Sequence, residues 1–368
     1  MHRLIDPSLF PWILAVVLLL AGAYLHLVRR RALSHGETAL LTAIPALALI
    51  GFGVTALQSY GWAVFVVLPF LIGFAVVLLY SRNAPERPFQ QYLAVGCSAL
   101  ALTGLGLLAF AMEGVICLLM AAPLAFLFTL LGVALGYALL GRFRKGLGSP
   151  VALLLLLASA PLLMGAEVAT PRQAPLYEVT TSMVIQAPPE VIWKHVVVLP
   201  DLNGPEEWIF RAGVAYPVRT EIDGSGAGVS RRCILSTGAM PETIEVWDEP
   251  RLLRFKILRT PPSMRELSPW GAIHPPHLEG FYVSRRGQFR LVPLAGGRTL
   301  VVGTSWYQHG LYPASYWRLW SDWVVHQVHR RVLTSVKRLS EAETRAGRQV
   351  AALDGERSAE PALTGFAL

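Results

Sequence analysis

Asp322, His326 and His329 fall at i, i+4 and i+7, so on a helix their side chains share one face. A carboxylate beside two imidazoles can relay a proton or hold zinc. Zinc would need a further ligand, and His309, His274 and His277 are the available histidines. The same spacing equally suits a polar helix face pairing with Arg318 and Arg330. No metal or cofactor is therefore expected, and His309, Asp322, His326 and His329 stand as candidates for proton transfer. Other chemistries lack their patterns: there is no Gly-x-Ser-x-Gly elbow and no His-Glu-x-x-His. Gly224-x-Gly226-x-Gly228 leads into a strand-like run, so it is no phosphate loop. Cys233 is alone in its half of the chain, while Cys97 and Cys117 sit in apolar runs, which excludes a disulfide framework around Cys233.

The elements that must position these residues differ sharply between the two halves. Of 368 residues only 15% are charged, and the mean hydropathy is +0.48. Met1 to Val168 carries 9 Lys/Arg and 5 Asp/Glu, and Thr170 onward 23 and 19. Six apolar runs fit bilayer spans, at about 9–28, 38–57, 62–80, 92–112, 115–140 and 150–166. Residues 1–168 are thus expected to form a helical membrane region with the lipid bilayer as partner. The first run is followed, not preceded, by Arg29-Arg30-Arg31, so it is expected to remain as an anchor. Arg82 and Arg87, then Arg142, Arg144 and Lys145, lie in alternate gaps. By the positive-inside rule these gaps are cytoplasmic and the N-terminus is outside. Six spans then place the second half outside as well, which gives a multi-pass inner-membrane protein of bacterial type with an extracytoplasmic C-terminal domain. Gly132 and Gly136 are spaced to let another helix approach closely. No Asp/Glu/His chain threads the spans, which argues against a proton-coupled pump. The basic excess shows no stripe or aromatic–basic motif, so nucleic acid is excluded as a partner. Nothing identifies a protein partner.

After a linker at 169–176, alternation and turn signals predict a strand over 177–186 and a short helix at 190–198. A helical piece at 205–212 and six strands follow, then a helix from about Pro313 to Leu339 and a polar tail at 341–368. Gly296-Gly297 marks a two-residue hairpin between the last two strands. This order, with Ile185-Gln-Ala-Pro-Pro-Glu-Val-Ile-Trp193, Val229-Ser-Arg-Arg-Cys233, Glu245-Val-Trp-Asp-Glu-Pro-Arg-Leu-Leu-Arg-Phe255 and Gly297-Arg-Thr-Leu-Val-Val-Gly-Thr-Ser-Trp306, resembles the START-like helix-grip superfamily. That superfamily is also known as SRPBCC, or polyketide cyclase/dehydrase and lipid transport.

The resemblance covers 177–340 and implies an α+β fold: a curved antiparallel sheet around a long C-terminal helix, with an apolar cavity between them. The expected lining is Trp208, Phe255, Phe281, Phe289, Val302, Trp306, Tyr316, Trp320 and Trp323. The proline-rich segment 260–279 would form a rim or lid. The expected function is binding of a hydrophobic small molecule or lipid, for sensing or local transfer at the membrane surface. The alternatives are a membrane-tethered cyclase or dehydratase using the His/Asp candidates, and a scaffold that docks a protein.

Overall fold

The computed structural model describes residues 31–140, 150–170, 173–202 and 204–358. It divides into two units. The first takes residues up to Arg172 together with Glu266–Pro276 and Leu311–Pro313, and the second takes the rest.

The first unit is helical: α1 His35–Thr55, α2 Ala63–Tyr80, α3 Phe89–Ala109, α4 Val115–Ala138 and α5 Pro150–Ala169. Among the described residues, four of these (α1 to α4) are long and apolar enough to cross a membrane. The count of six is therefore not supported; the expected span at 9–28 and the basic gap at 141–149 lie outside the described residues. A capping box starts α1, with Ser34 and Glu37 each bonding the other's backbone amide. Gly132 and Gly73 let α4 and α2 pack backbone to backbone. A Cβ at Gly132 would lie 2.1 Å from the Phe70 carbonyl oxygen, and one at Gly73 2.0 Å from that of Thr129.

Part of the segment 260–279 caps a helix of the first unit. Gly114 gives α4 no side-chain cap, so the orphan amides of its first turn need acceptors from elsewhere. The Glu266 carboxylate accepts from the Ile116 and Cys117 amides, at 3.2 Å each, and the Leu267 carbonyl accepts from Val115 at 2.9 Å. The Trp270 indole donates to the Leu108 carbonyl at 3.2 Å. Residues Glu266–Pro276 thus belong to the helical unit as the cap of α4.

The second unit contains β1 Tyr177–Ile185, α6 Pro189–Val197, α7 Trp208–Arg211, β2 Pro217–Ile222, β3 Ser230–Leu235, β4 Gly238–Asp248, β5 Leu252–Ile257, β6 Tyr282–Leu294, β7 Arg298–His309 and α8 Ala314–Ser358. The strands form one antiparallel sheet in the order β1-β7-β6-β5-β4-β3-β2. Leu294 pairs with Arg298, so the β6–β7 hairpin turns over Ala295, Gly296 and Gly297, with both glycines at positive φ.

Register sorts the side chains onto two faces. On the inner face, Val301, Leu291 and Leu253 pack with Ile185, Ile244 and Phe255 against Trp193 and Val196 of α6 and against Val332, Leu333 and Val336 of α8. Gly287 makes room there: a Cβ would meet the Phe255 ring at 2.6 Å. The outer face carries ion pairs, Arg232 with Glu221 and Arg286 with Glu245. The helix runs well past Leu339. Glu341 accepts from the Gln186 amide, and Glu343 bridges Lys194 and His195 of α6, so the expected tail begins as helix, which runs to Ser358.

Candidate functional site

Three of the four proton-transfer candidates share the inner face of α8, where period-2 alternation on β1 and β7 meets them with hydroxyls. Thr181 and Ser305 flank Gly303 on this face, because Thr181 pairs with Gly303 across the β1–β7 ladder. Thr181 Oγ1 lies 2.8 Å from His326 Nδ1 and 3.0 Å from His329 Nδ1. Ser305 Oγ lies 2.8 Å from His329 Nε2. The result is one continuous chain: Ser305, His329, Thr181, His326. Burial pushes the His329 imidazole down to about 4, with the neighbouring His326 adding to the effect, so His329 is neutral at ordinary pH.

Asp322, one turn earlier, forms a separate knot. The Tyr307 hydroxyl donates to its Oδ1 at 2.5 Å, and Arg318 Nε donates to Oδ2 at 3.1 Å. Burial, then the bond to Asp322, raises the Tyr307 phenol far above its ordinary value, so it acts as a donor and not as a base. His309 is buried at the end of β7 and stacks on Tyr177, with ring centroids 5.1 Å apart, in a group that also holds Tyr307 and Tyr282. With the Asp322 carboxylate held by Tyr307 and Arg318, and both imidazoles turned to one hydroxyl, these three residues do not converge as a metal site among the described residues.

The apolar candidates divide between faces. Phe255 and Phe289 lie on the inner face, with ring centroids 6.3 Å apart. Val302 and Trp306 alternate to the outer face, where the Trp306 indole donates to Glu178 Oε2 at 2.8 Å. Trp323 lies 5.9 Å from the ring of Trp208 and 6.3 Å from that of Trp320. Together with Tyr216, Met264, Val324 and Val328, Trp323 half-covers the cluster of Ile209, Phe210 and Val214. Tyr316 is half-buried and meets the buried Trp317 edge-on, and Phe281 is half-buried beside Gly310.

Leu253, Val301 and Leu291 are sealed, yet Phe289 and Met240 on the same face stay half-buried, as do Thr181 and Ser305. Exposure along the inner face is therefore uneven, almost nil at Leu253, Leu291 and Val301 and partial at Phe289, Met240, Thr181 and Ser305.

Three features escaped the sequence. Thr181 and Ser305 carry no signal until register is known. Arg231 and Glu242 are 2% and 1% exposed and pair at 2.7 Å on the inner face. The same burial, with Glu242 nearby, pushes the Cys233 thiol up to about 12, which makes it a poor nucleophile.

The seven-stranded antiparallel sheet and the long C-terminal helix packed on its inner face make a helix-grip fold. No family model and no curated protein matches the chain. Solved structures do. An aromatase/cyclase, Zhui, from Streptomyces sp. R1128 is 19% identical, with a TM-score of 0.31, and spans 47% of this chain and 96% of its own. A truncated norcoclaurine synthase from Thalictrum flavum is 10% identical, with a TM-score of 0.29, over 46% of this chain and 96% of its own. A protein from Nitrosospira multiformis is 17% identical, with a TM-score of 0.30, over 46% and 99%. The helices before Arg172 belong to the other unit, and four of those described are long and apolar enough to cross a membrane.

Proposed function

We propose that this chain is an integral membrane protein whose helix-grip domain binds a hydrophobic small molecule or lipid between the sheet and α8. The observation that supports the reading is the half-buried Phe289 on the inner face, which packs on Gly303, the ladder partner of Thr181. An apolar ligand gains about 25 cal/mol per Å² of surface removed from water there, and the polar chain meets its one polar group.

Extraction of the detergent-purified full chain, followed by mass spectrometry, should release an apolar molecule in near-stoichiometric amount. Phe289→Ala should weaken uptake of an apolar fluorophore on the order of tenfold, from the loss of about 1.5 kcal/mol of aromatic burial. Trp306→Ala, on the outer face, should leave uptake unchanged. No extractable ligand and identical uptake by both variants would remove the proposal.

The basic residues in alternate gaps support an N-terminus outside the cytoplasm, and an even number of crossings would put the helix-grip domain on that same side. Alkaline phosphatase joined after Leu368 should then be active in intact cells. An inactive phosphatase, with an active cytoplasmic reporter at the same position, would reverse the orientation.

A further inference from the structure

The chain Ser305–His329–Thr181–His326 has a property that its separate bonds do not. Each hydroxyl has a single proton, and each neutral imidazole has one N–H and one lone pair. His329 is bonded through both ring nitrogens, and Thr181 lies between two Nδ1 atoms. Thr181 could accept from both imidazoles, but its own proton would then have no acceptor among the described residues; the arrangements that use every proton are the two in which each member donates on one side and accepts on the other. If Ser305 donates to His329 Nε2, then His329 Nδ1–H donates to Thr181, Thr181 donates to His326 Nδ1, and the His326 proton sits on Nε2. In the opposite direction, His326 Nδ1–H donates to Thr181, Thr181 donates to His329 Nδ1, and His329 Nε2–H donates to Ser305. His326 Nε2 then carries a lone pair. Among the described residues the structure gives His326 no bond through Nε2, and the residue is half-buried on the helix face that meets β1.

We infer that His326 Nε2 is the binding point for the polar head of the apolar ligand, and that this head is an uncharged oxygen function, either a carbonyl or a hydroxyl. The chain adapts to the head by reversing direction. A carbonyl, which only accepts, selects the direction that leaves a proton on Nε2. A hydroxyl that donates, such as a phenol, selects the reverse. Neutrality of His329 keeps both directions free of charge, so one site serves both heads at little electrostatic cost. The inference rests on the ligand-binding reading above and adds the identity of the recognised group.

The test uses two probes of matched size, 4-octylacetophenone and 4-octylphenol, with the full chain in detergent and its histidines labelled with nitrogen-15. Both probes should bind. The ketone should place the protons on Nε2 of His326 and Nδ1 of His329, and the phenol should give the opposite tautomer at both rings together. Thr181→Val keeps the strand side chain's shape but removes the link. It should weaken both probes about three- to tenfold and leave the His329 tautomer indifferent to which is bound. Thr304→Val serves as the control, because Thr304 pairs with Thr180 on the outer face. If both probes bind while the His329 tautomer stays fixed in the wild type, the recognition scheme is wrong and ligand binding stands. If neither probe binds, both are wrong.

Discussion

Arg231→Met should cost the C-terminal domain about 3–5 kcal/mol, because it strands a charge in the interior. Arg231 satisfies more than its partner. Its NH1 meets Glu242 at 2.7 Å, while Nε and NH2 donate to the carbonyls of Val197 and Val196 at 3.2 Å each. Its guanidinium also lies 4.9 Å from the Phe255 ring centroid. One side chain therefore ties β3, β4 and the end of α6 together at the bottom of the inner face. For a domain of this size the loss corresponds to roughly 10 °C or more in Tm, read by near-ultraviolet circular dichroism of the full chain in detergent. The double variant Arg231→Met/Glu242→Leu should recover much of that loss, since neither charge is then left buried alone. A double variant as unstable as the single would show that the cost lies in the backbone carbonyls and not in the orphaned carboxylate.

The second large effect concerns acid. His329 has a folded value of about 4 against an ordinary 6.5, and His277, also buried, is likewise held down to about 4. In that window the unfolded chain binds more protons than the folded one, so stability falls as the pH drops from about 6.5 towards 4. Each histidine contributes on the order of 3 kcal/mol over the full window. His329→Gln keeps a donor and an acceptor for Thr181 and Ser305 but cannot titrate. It should remove about one proton from the pH dependence of unfolding, leaving that of His277. Denaturant melts at pH 7 and pH 4.5 would show this as a smaller gap between the two. An unchanged gap would mean that His329 is solvated in the native state.

How far the sequence carried this picture depends on the range of the forces involved. Strands, the hairpin at Gly296 and Gly297, and the helix face bearing Asp322, His326 and His329 follow from periods of 2 and 3.6, which are local. The partners of that face were not legible. Thr181 lies 145 residues from His326 and meets it only through the β1–β7 register, which no local pattern states. The same ignorance of facing grouped Val302 and Trp306 with the inner lining, although Glu178 holds Trp306 outside. The end of α8 was set too early, because its polar composition hides the anchoring of Glu341 and Glu343. The segment 260–279 looked like a lid because prolines signal rigidity and not destination. The place of its Glu266–Pro276 part is fixed by the uncapped amides of α4, and Glu266 supplies what Gly114 cannot. Burial of Arg231 and Glu242 was hidden for the same reason: charged residues suit an exposed edge until a partner is seen across the strand.

Ligand binding by the helix-grip domain requires a foreign molecule on the inner face beside Phe289. Benzoylphenylalanine placed at position 289 of the full chain, irradiated in membranes and digested, reads that directly. Occupancy by ligand predicts peptides of β6 carrying an added small-molecule or lipid mass, diminished by excess 4-octylphenol. Cross-links running only to peptides of the chain itself, from α8 or the neighbouring strands, would show a domain filled by its own side chains.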